Sequence, residues 1–232
     1  MTVPRIGAEP ERRKALIHAA IDVIGEHGSL DVPVKVIAEH AGMSPALAFH
    51  YFGGKDEIIV ETMRYLLREL SNSVVAGLRQ ARTPAERIDG IICASFAPGQ
   101  FDRKTIAAWL VFYLKAYSSP PAARLLTIYF RRLESNLVAA FKPLLVDGGD
   151  ISISGQTATE LAEGLGAMID GLYIRQALGA QEPDAHRAIE LCRRYVDAEL
   201  ARMGIESGLV AKIEASFSQR LGRGSSAARG VH

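Results

Sequence analysis

Cysteine is nearly absent from this chain of 232 residues, which contains only Cys93 and Cys192. The two lie far apart and form no CxxC pair, so the sequence offers neither a disulfide framework nor a typical zinc site. Structural disulfides are typical of secreted proteins, whereas reduced cysteines are typical of the cytoplasm. We therefore expect a cytoplasmic protein.

Long apolar runs are also missing. No stretch approaches the roughly 18 uninterrupted apolar residues that a membrane span needs, and residues 1–10 lack the apolar core of a signal peptide. We expect no membrane insertion and no export. The length suits one domain, or a small domain joined to a larger one.

An excess of charge of either sign is missing as well, because the formal net charge is +1 at pH 7. Residues 1–57 hold six Lys or Arg against eight Asp or Glu, a local charge of −2. The overall electrostatic signature of a nucleic-acid binder is thus absent. Any binding to DNA has to depend on where individual cations are placed.

Catalytic and metal-binding motifs are absent too, since the sequence contains no GxSxG, HExxH or GxxxxGKS/T. Gly164 and Gly166 lie in a helical pattern, without the third glycine and the preceding strand of a dinucleotide site. The six histidines are scattered without partners at metal-ligand spacing. We expect no catalytic residue, no cofactor and no metal.

Helical periodicity is what the sequence does contain, because apolar residues recur at helical spacing along almost the whole chain. This pattern predicts an all-α fold. Only residues 150–154 resemble a strand, and residues 222–232 lack a periodic apolar pattern, so we expect that end to be disordered. Proline and glycine punctuation predicts helices at about 10–27, 34–41, 44–51, from 55 onward, 85–96, 102–118, 121–145, 156–179 and 184–203.

Residues 34–52, VKVIAEHAGMSPALAFHYF, predict two short helices around a turn at Gly42, which is the geometry of a helix-turn-helix. Ser44 can cap the second helix and Pro45 supplies the preset φ of a first helical position. The exposed side chains of that helix are mostly apolar, which suits thymine methyl groups and sugar edges in a major groove. They are Ala46, Leu47, Phe49 and His50. The bland alternative is a buried three-helix packing unit.

The order of helix, IAxxAGxS, helix, HYFxxKD and long helix resembles the TetR family of one-component transcriptional regulators. The resemblance implies a three-helix helix-turn-helix domain at 1–54, a ligand-binding and dimerisation bundle at 55–204 and a tail at 205–232. Two departures from the family pattern are Phe49, where many members have Tyr, and Pro33, where they often have Thr.

The same resemblance implies roles at the DNA. Lys35 would approach the bases together with Ala46, Leu47, Phe49 and His50, while Ser44, Tyr51 and Lys55 would hold phosphates. Phe52 would be core. Arg5, Arg12 and Arg13 are further candidates for contacts to the phosphate backbone.

The last two long helices are the natural dimer interface, because a DNA-reading dimer needs two recognition helices about 34 Å apart. Four such helices would form a two-fold bundle. The alternative is that these apolar positions are intramolecular core. They are Leu161, Leu165, Met168, Ile169, Leu172, Ile189, Leu191, Cys192, Tyr195, Val196 and Leu200.

Aromatic side chains are concentrated on the helix predicted at 102–118, within an arc of about 140° at 100° per residue. They are Trp109, Phe112, Tyr113 and Tyr117. Phe96, Phe101, Asp170 and Tyr173 could complete a pocket around them. Such a stripe indicates either a ligand pocket or a packed core, and spacing does not decide between the two.

The segments AAWLVFY, FRRLESNL and GLGAMIDGLYIRQAL resemble those of the BetI-type, choline-responsive repressors of the glycine betaine pathway. This resemblance implies a quaternary ammonium effector, a cation that ring faces attract. Asp170 would be its counter-charge, or would instead pair with an arginine at 131, 132 or 175. The ligand-binding candidates are therefore Trp109, Phe112, Tyr113, Tyr117, Asp170 and Tyr173.

From these observations we predict a homodimeric transcriptional regulator that binds a palindromic operator in double-stranded DNA. We expect it to be a repressor under the control of a small molecule, with a quaternary ammonium compound as the suspected effector. The alternatives are a helical small-molecule-binding or catalytic protein with a vestigial helix-turn-helix, and an architectural DNA protein without a ligand.

Overall fold

The computed structural model describes residues 8–145 and 151–209. Nine helices and no strand occur within these ranges, as the all-α prediction requires. The helices are Ala8–His27 (α1), Val34–His40 (α2), Pro45–Phe52 (α3), Lys55–Gln80 (α4), Pro84–Ser95 (α5), Arg103–Ser118 (α6), Pro120–Leu145 (α7), Ile151–Leu178 (α8) and Ala185–Arg202 (α9).

The strand expected at residues 150–154 is wrong over residues 151–154, because α8 begins at Ile151. Alternation over four residues is a weak signal, and strand propensity depends strongly on context. The helix predicted from residue 156 onward begins five residues earlier and includes this segment. Asp150 lies outside the described residues, as do residues 222–232, where disorder is expected.

Side-chain caps fix the beginning of several helices. At α5 the Thr83 hydroxyl accepts a hydrogen bond from Glu86 N at 3.1 Å, and the Glu86 carboxylate accepts one from Thr83 N at 3.3 Å. This reciprocal pair is a capping box. Asp102 and Asp184 cap α6 and α9 in the simpler way, each accepting from a backbone N–H three residues later.

Contacts divide the described chain into two compact units. The first unit contains the described residues up to Ser73, together with Ala97–Arg132 and Tyr173–Pro183. Its core is built from apolar side chains of α1 to α4 and α6. Among them, Leu16, Ile24, Ile37, Ala38, Ala48, Ile58, Met63, Ile106 and Phe112 are almost fully buried.

The second unit contains Val74–Phe96, the described part of Leu133–Leu172, and the described residues from Asp184 onward. Here α5 packs on α9. Arg193 of α9 donates two hydrogen bonds to the Asp89 carboxylate of α5, Nε to Oδ1 at 2.6 Å and Nη2 to Oδ2 at 3.0 Å. This geometry is the strong bidentate form of an arginine–carboxylate pair.

Several residues predicted for a dimer interface lie instead in the core of their own chain. Only Met168, Ile189, Leu191 and Tyr195 of that set keep partial exposure. Helical spacing reveals an apolar face but not which surface covers it, and here the chain itself covers most of it. The buried members are Leu161, Leu165, Ile169, Leu172, Cys192, Val196 and Leu200.

Candidate functional site

The helix-turn-helix of α2 and α3 turns at Gly42, whose φ of +67° lies in the left-handed region that favours glycine. Met43 N donates to the Ala38 carbonyl oxygen at 2.8 Å, which closes the turn. Ser44 then caps α3, its hydroxyl accepting a hydrogen bond from Leu47 N at 3.3 Å. Pro45 occupies the first helical position, as the sequence predicts.

One face of α3 is packed and the other is open. Ala48 and Phe52 are buried, and the burial of Phe52 agrees with its predicted place in the core. Phe49 is 48% exposed, Ala46 and His50 are exposed, and Leu47 is half-buried. The predicted base-reading side chains therefore face solvent, where an apolar ring gains nothing until another surface covers it.

Two arginines of α1 hold the end of α3. Arg13 Nη1 donates to the Tyr51 carbonyl oxygen at 2.6 Å, and its guanidinium carbon lies 4.7 Å from the centroid of the Phe52 ring. Arg12 Nη1 reaches the Tyr51 hydroxyl at 3.5 Å. The sequence suggested both arginines only as phosphate contacts, but Arg13 is half-buried and positions the helix.

The two predicted DNA-contacting lysines each have a carboxylate neighbour. Lys55 Nζ lies 3.3 Å from Asp31 Oδ1, and Lys35 Nζ lies 3.8 Å from Glu39 Oε1. Exposed pairs of this kind contribute at most about 1 kcal/mol. A phosphate can therefore displace either carboxylate at little cost.

The predicted aromatic stripe on α6 is divided by the fold. Trp109 and Phe112 are buried, Tyr113 is half-buried and Tyr117 is 93% exposed. The Trp109 ring contacts those of Phe112 and Tyr113, with centroids 6.1 and 6.0 Å apart. Tyr117 lies outside this cluster. The four aromatic positions of α6 span an arc of about 140°, which is wider than the face that the helix buries.

One further ring joins the cluster, and two other predicted rings form a pair of their own. Phe130 of α7 stacks with Tyr113 at a centroid distance of 6.4 Å, a partner that the sequence analysis did not identify. Tyr173 is buried and meets Phe101 edge to face at 5.0 Å. Asp170 belongs to the second unit and is half-buried.

Other site types find no support in the described ranges. No group of three or more His, Cys, Asp or Glu side chains there could hold a metal ion. None of the described helices combines the length and the apolar character needed to cross a bilayer.

Comparison with known proteins covers both parts of the chain. Residues 16–62 match the family described as bacterial regulatory proteins, tetR family. Residues 84–201 match the C-terminal domain of BetI-type transcriptional repressors. The HTH-type transcriptional regulator BetI of Brucella suis is 55% identical over 199 residues, which are 86% of this chain and 96% of that protein. Its counterpart in Rhizobium meliloti is 45% identical over 202 residues, 87% and 96% of the two chains.

Solved structures share the fold. A TetR transcription regulator from Haloarcula marismortui aligns with a TM-score of 0.68 at 19% identity, covering 82% of this chain and 98% of that one. A putative transcriptional regulator from Saccharomonospora viridis, solved in complex with choline, aligns with a TM-score of 0.67 at 22% identity. That alignment covers 81% of this chain and 96% of the other.

Proposed function

The chain belongs to the TetR family of DNA-binding transcriptional regulators, with a BetI-type C-terminal domain, and on that basis we propose that it is a cytoplasmic repressor. It binds a palindromic operator in double-stranded DNA as a homodimer, because each chain carries one reading helix and two are needed to span a site. We assign it no catalytic step. A small quaternary ammonium compound, such as choline, releases it from the operator.

The observation that carries DNA recognition is the orientation of α3, whose Ala48 and Phe52 are buried while Phe49 is exposed. Phe49 and Leu47 cover thymine methyl groups, and Ala46 and His50 extend that contact, with Lys35 beside them. Ser44, Tyr51 and Lys55 hold phosphates. Because the domain carries few cations, we expect a modest salt dependence, with a slope of about −0.9 for each phosphate neutralised.

The cluster around Trp109 and Tyr113 is the proposed effector site. A quaternary ammonium group cannot donate a hydrogen bond from its methylated head, so ring faces are its natural partners. The choline complex of the Saccharomonospora viridis protein, which has the same fold, supports this class of ligand. Phe112 and Tyr173, which belong to the same unit as Trp109, complete the proposed cage, whereas the exposed Tyr117 is left out. The counter-charge role of Asp170 stays a prediction from the sequence.

A contact route leads from this cluster to the DNA-binding end of α4. Lys115, further along α6, places Nζ 2.8 Å from Asp56 Oδ1 in the first turn of α4, next to Lys55. A ligand that binds more tightly to one arrangement of α6 shifts the population towards it. A coupling free energy of about 1–3 kcal/mol would weaken DNA binding roughly 5-fold to 150-fold.

The proposal is tested by measuring binding to the DNA upstream of the chain's own gene, with and without choline. Specific retardation that choline weakens is the expected result, and sedimentation of the complex gives two chains per operator. Tyr113→Ala, at a half-buried position, should abolish the choline response while leaving DNA binding intact. Trp109→Phe tests the same site with less risk to folding, and Tyr117→Ala is the matched control that should respond normally. DNA binding that ignores choline in the unmodified chain would overturn the effector assignment.

A further inference from the structure

A cavity of about 430 Å³ lies within the first unit between α1, α4 and the connection from α5 to α6. Its lining includes His18 of α1, Tyr65 and Glu69 of α4, and Gln100 of the connection. None of the rings of the Trp109 cluster takes part in it. The cavity is therefore separate from the proposed effector site.

Gln100 provides an unused hydrogen-bond acceptor in this lining. The residue is 4% exposed, and its Oε1 accepts no hydrogen bond from any residue within 8–145 or 151–209. Buried polar side-chain atoms are normally paired, because an unpaired one loses the hydrogen bonds that water would give it. Because this oxygen is buried, the Gln100 side chain has to turn towards the cavity before a ligand can reach it. A ligand that brings an N–H or O–H donor would then satisfy it.

Charge in the lining is of one sign. Asp22, Glu69 and Asp102 contribute carboxylates, and no Lys or Arg is among the lining residues. Asp22 is already paired with Lys104 at 3.3 Å, and both oxygens of Asp102 accept hydrogen bonds from Thr105. Among the described residues, the Glu69 carboxylate accepts only one long hydrogen bond, of 3.5 Å from Asn72 Nδ2. Glu69 is thus the carboxylate with capacity left for a cation.

We propose that this cavity binds a small protonated alkylamine, which donates an N–H hydrogen bond to Gln100 Oε1 and pairs its charge with Glu69. Tyr65, whose hydroxyl lies 3.1 Å from His18 Nε2, forms part of the wall beside Glu69. A quaternary ammonium ion carries the same charge but no N–H, so it leaves Gln100 unpaired. The two sites therefore select different classes of cation.

The experiment is titration calorimetry of the full chain with n-propylammonium chloride and with propyltrimethylammonium chloride at equal ionic strength. These cations share charge and chain length, and only the first has N–H groups. We expect saturable binding of the amine, at least about tenfold tighter than that of the quaternary ion in a background of Tyr113→Ala, which removes the aromatic site. Equal affinity for the two cations, or no saturable binding of the amine, would overturn the proposal.

Two variants locate the site. Gln100→Met keeps the side-chain size and removes the acceptor, and Glu69→Gln removes the charge at a half-buried position with little change of shape. Each should weaken amine binding about tenfold or more, since hydrogen bonds and pairs that involve a charged group are the stronger ones. If Gln100→Met fails to fold, Glu69→Gln still decides. Unchanged amine affinity in Glu69→Gln would show that the cavity is not where the amine binds.

Discussion

Gly25 of α1 lies so close to the Lys104 carbonyl oxygen of α6 that a Cβ added to it would stand 2.3 Å from that oxygen. The two helices therefore meet backbone to backbone at this point. Lys104 strengthens the contact with its side chain, which reaches Glu26 Oε1 at 2.7 Å and Asp22 Oδ1 at 3.3 Å. Through this junction the helix that carries Trp109 is fixed to the helix that holds α3.

Gly25→Ala should lower the free energy of unfolding by about 1–3 kcal/mol, because the new methyl group forces α1 and α6 apart. Gly166→Ala is the matched control, since a Cβ there meets nothing within 4 Å. In a helix interior that change is expected to stabilise by up to about 1 kcal/mol. Urea unfolding measures both, and equal effects at the two positions would contradict the close contact.

Arg13→Gln should weaken binding to every DNA sequence tested without changing its salt dependence, because Arg13 supports Tyr51 and Phe52 from behind rather than touching phosphate. Loss of the hydrogen bond and of the ring contact should also lower stability by about 1–2 kcal/mol. Arg12→Gln is the comparison. If Arg12 holds a phosphate, its removal reduces the salt slope by about 0.9. A reduced slope in Arg13→Gln would mean that Arg13 contacts DNA itself.

Asp31→Asn should raise affinity for DNA a few-fold, because it frees Lys55 from the pair at 3.3 Å. An exposed pair of this kind contributes about 0.2–1 kcal/mol, which corresponds to the expected gain. The control is the same change in a Lys55→Ala background, where no specific gain should remain. The same increase in both backgrounds would mean that Asp31 acts on DNA without Lys55.

Arg193→Met should lower the free energy of unfolding by about 2–4 kcal/mol, since it leaves the mostly buried Asp89 carboxylate without its partner. Replacing both residues, as Asp89→Asn with Arg193→Met, should cost less than the single change. The reason is that no uncompensated charge then remains. Thermal and urea unfolding of the three variants test this order, and a double variant that is less stable than Arg193→Met would refute it.

Stability should fall in mild acid through two surface carboxylates. The hydrogen bond from Lys104 holds the pKa of Glu26 below 4.5, and that from Lys115 holds the pKa of Asp56 below 3.8. A lowered pKa in the folded state gives stability that is present above the unfolded value and lost as the pH falls through the folded value. We therefore measure the urea midpoint of unfolding as a function of pH. In Lys104→Met the midpoint should fall less steeply just below pH 4.5 than in the unmodified chain. An unchanged curve would show that Glu26 contributes nothing.

Local signals account for most of what could be predicted from the sequence. Helix bounds came within a few residues because caps, prolines and glycines act on their own neighbours, as Ser44 does on α3. The error at Ile151 had the opposite cause, since a four-residue alternation was weaker than the helix that absorbed it. The outward face of α3 was predicted because its pattern of small and apolar residues is local too. The roles of its side chains at DNA remain predictions.

The sequence by itself determined that the chain is helical, where its helix-turn-helix lies and which side of α3 faces out. Only the tertiary structure decided that Arg13 supports α3, that Tyr117 stays outside the aromatic cluster, and that the buried Gln100 lines the same cavity as Glu69. The physical reason is the distance along the sequence over which each interaction acts. Caps and periodicity act over a few residues, whereas these relationships join residues that are distant in sequence, and only the packed chain brings them together.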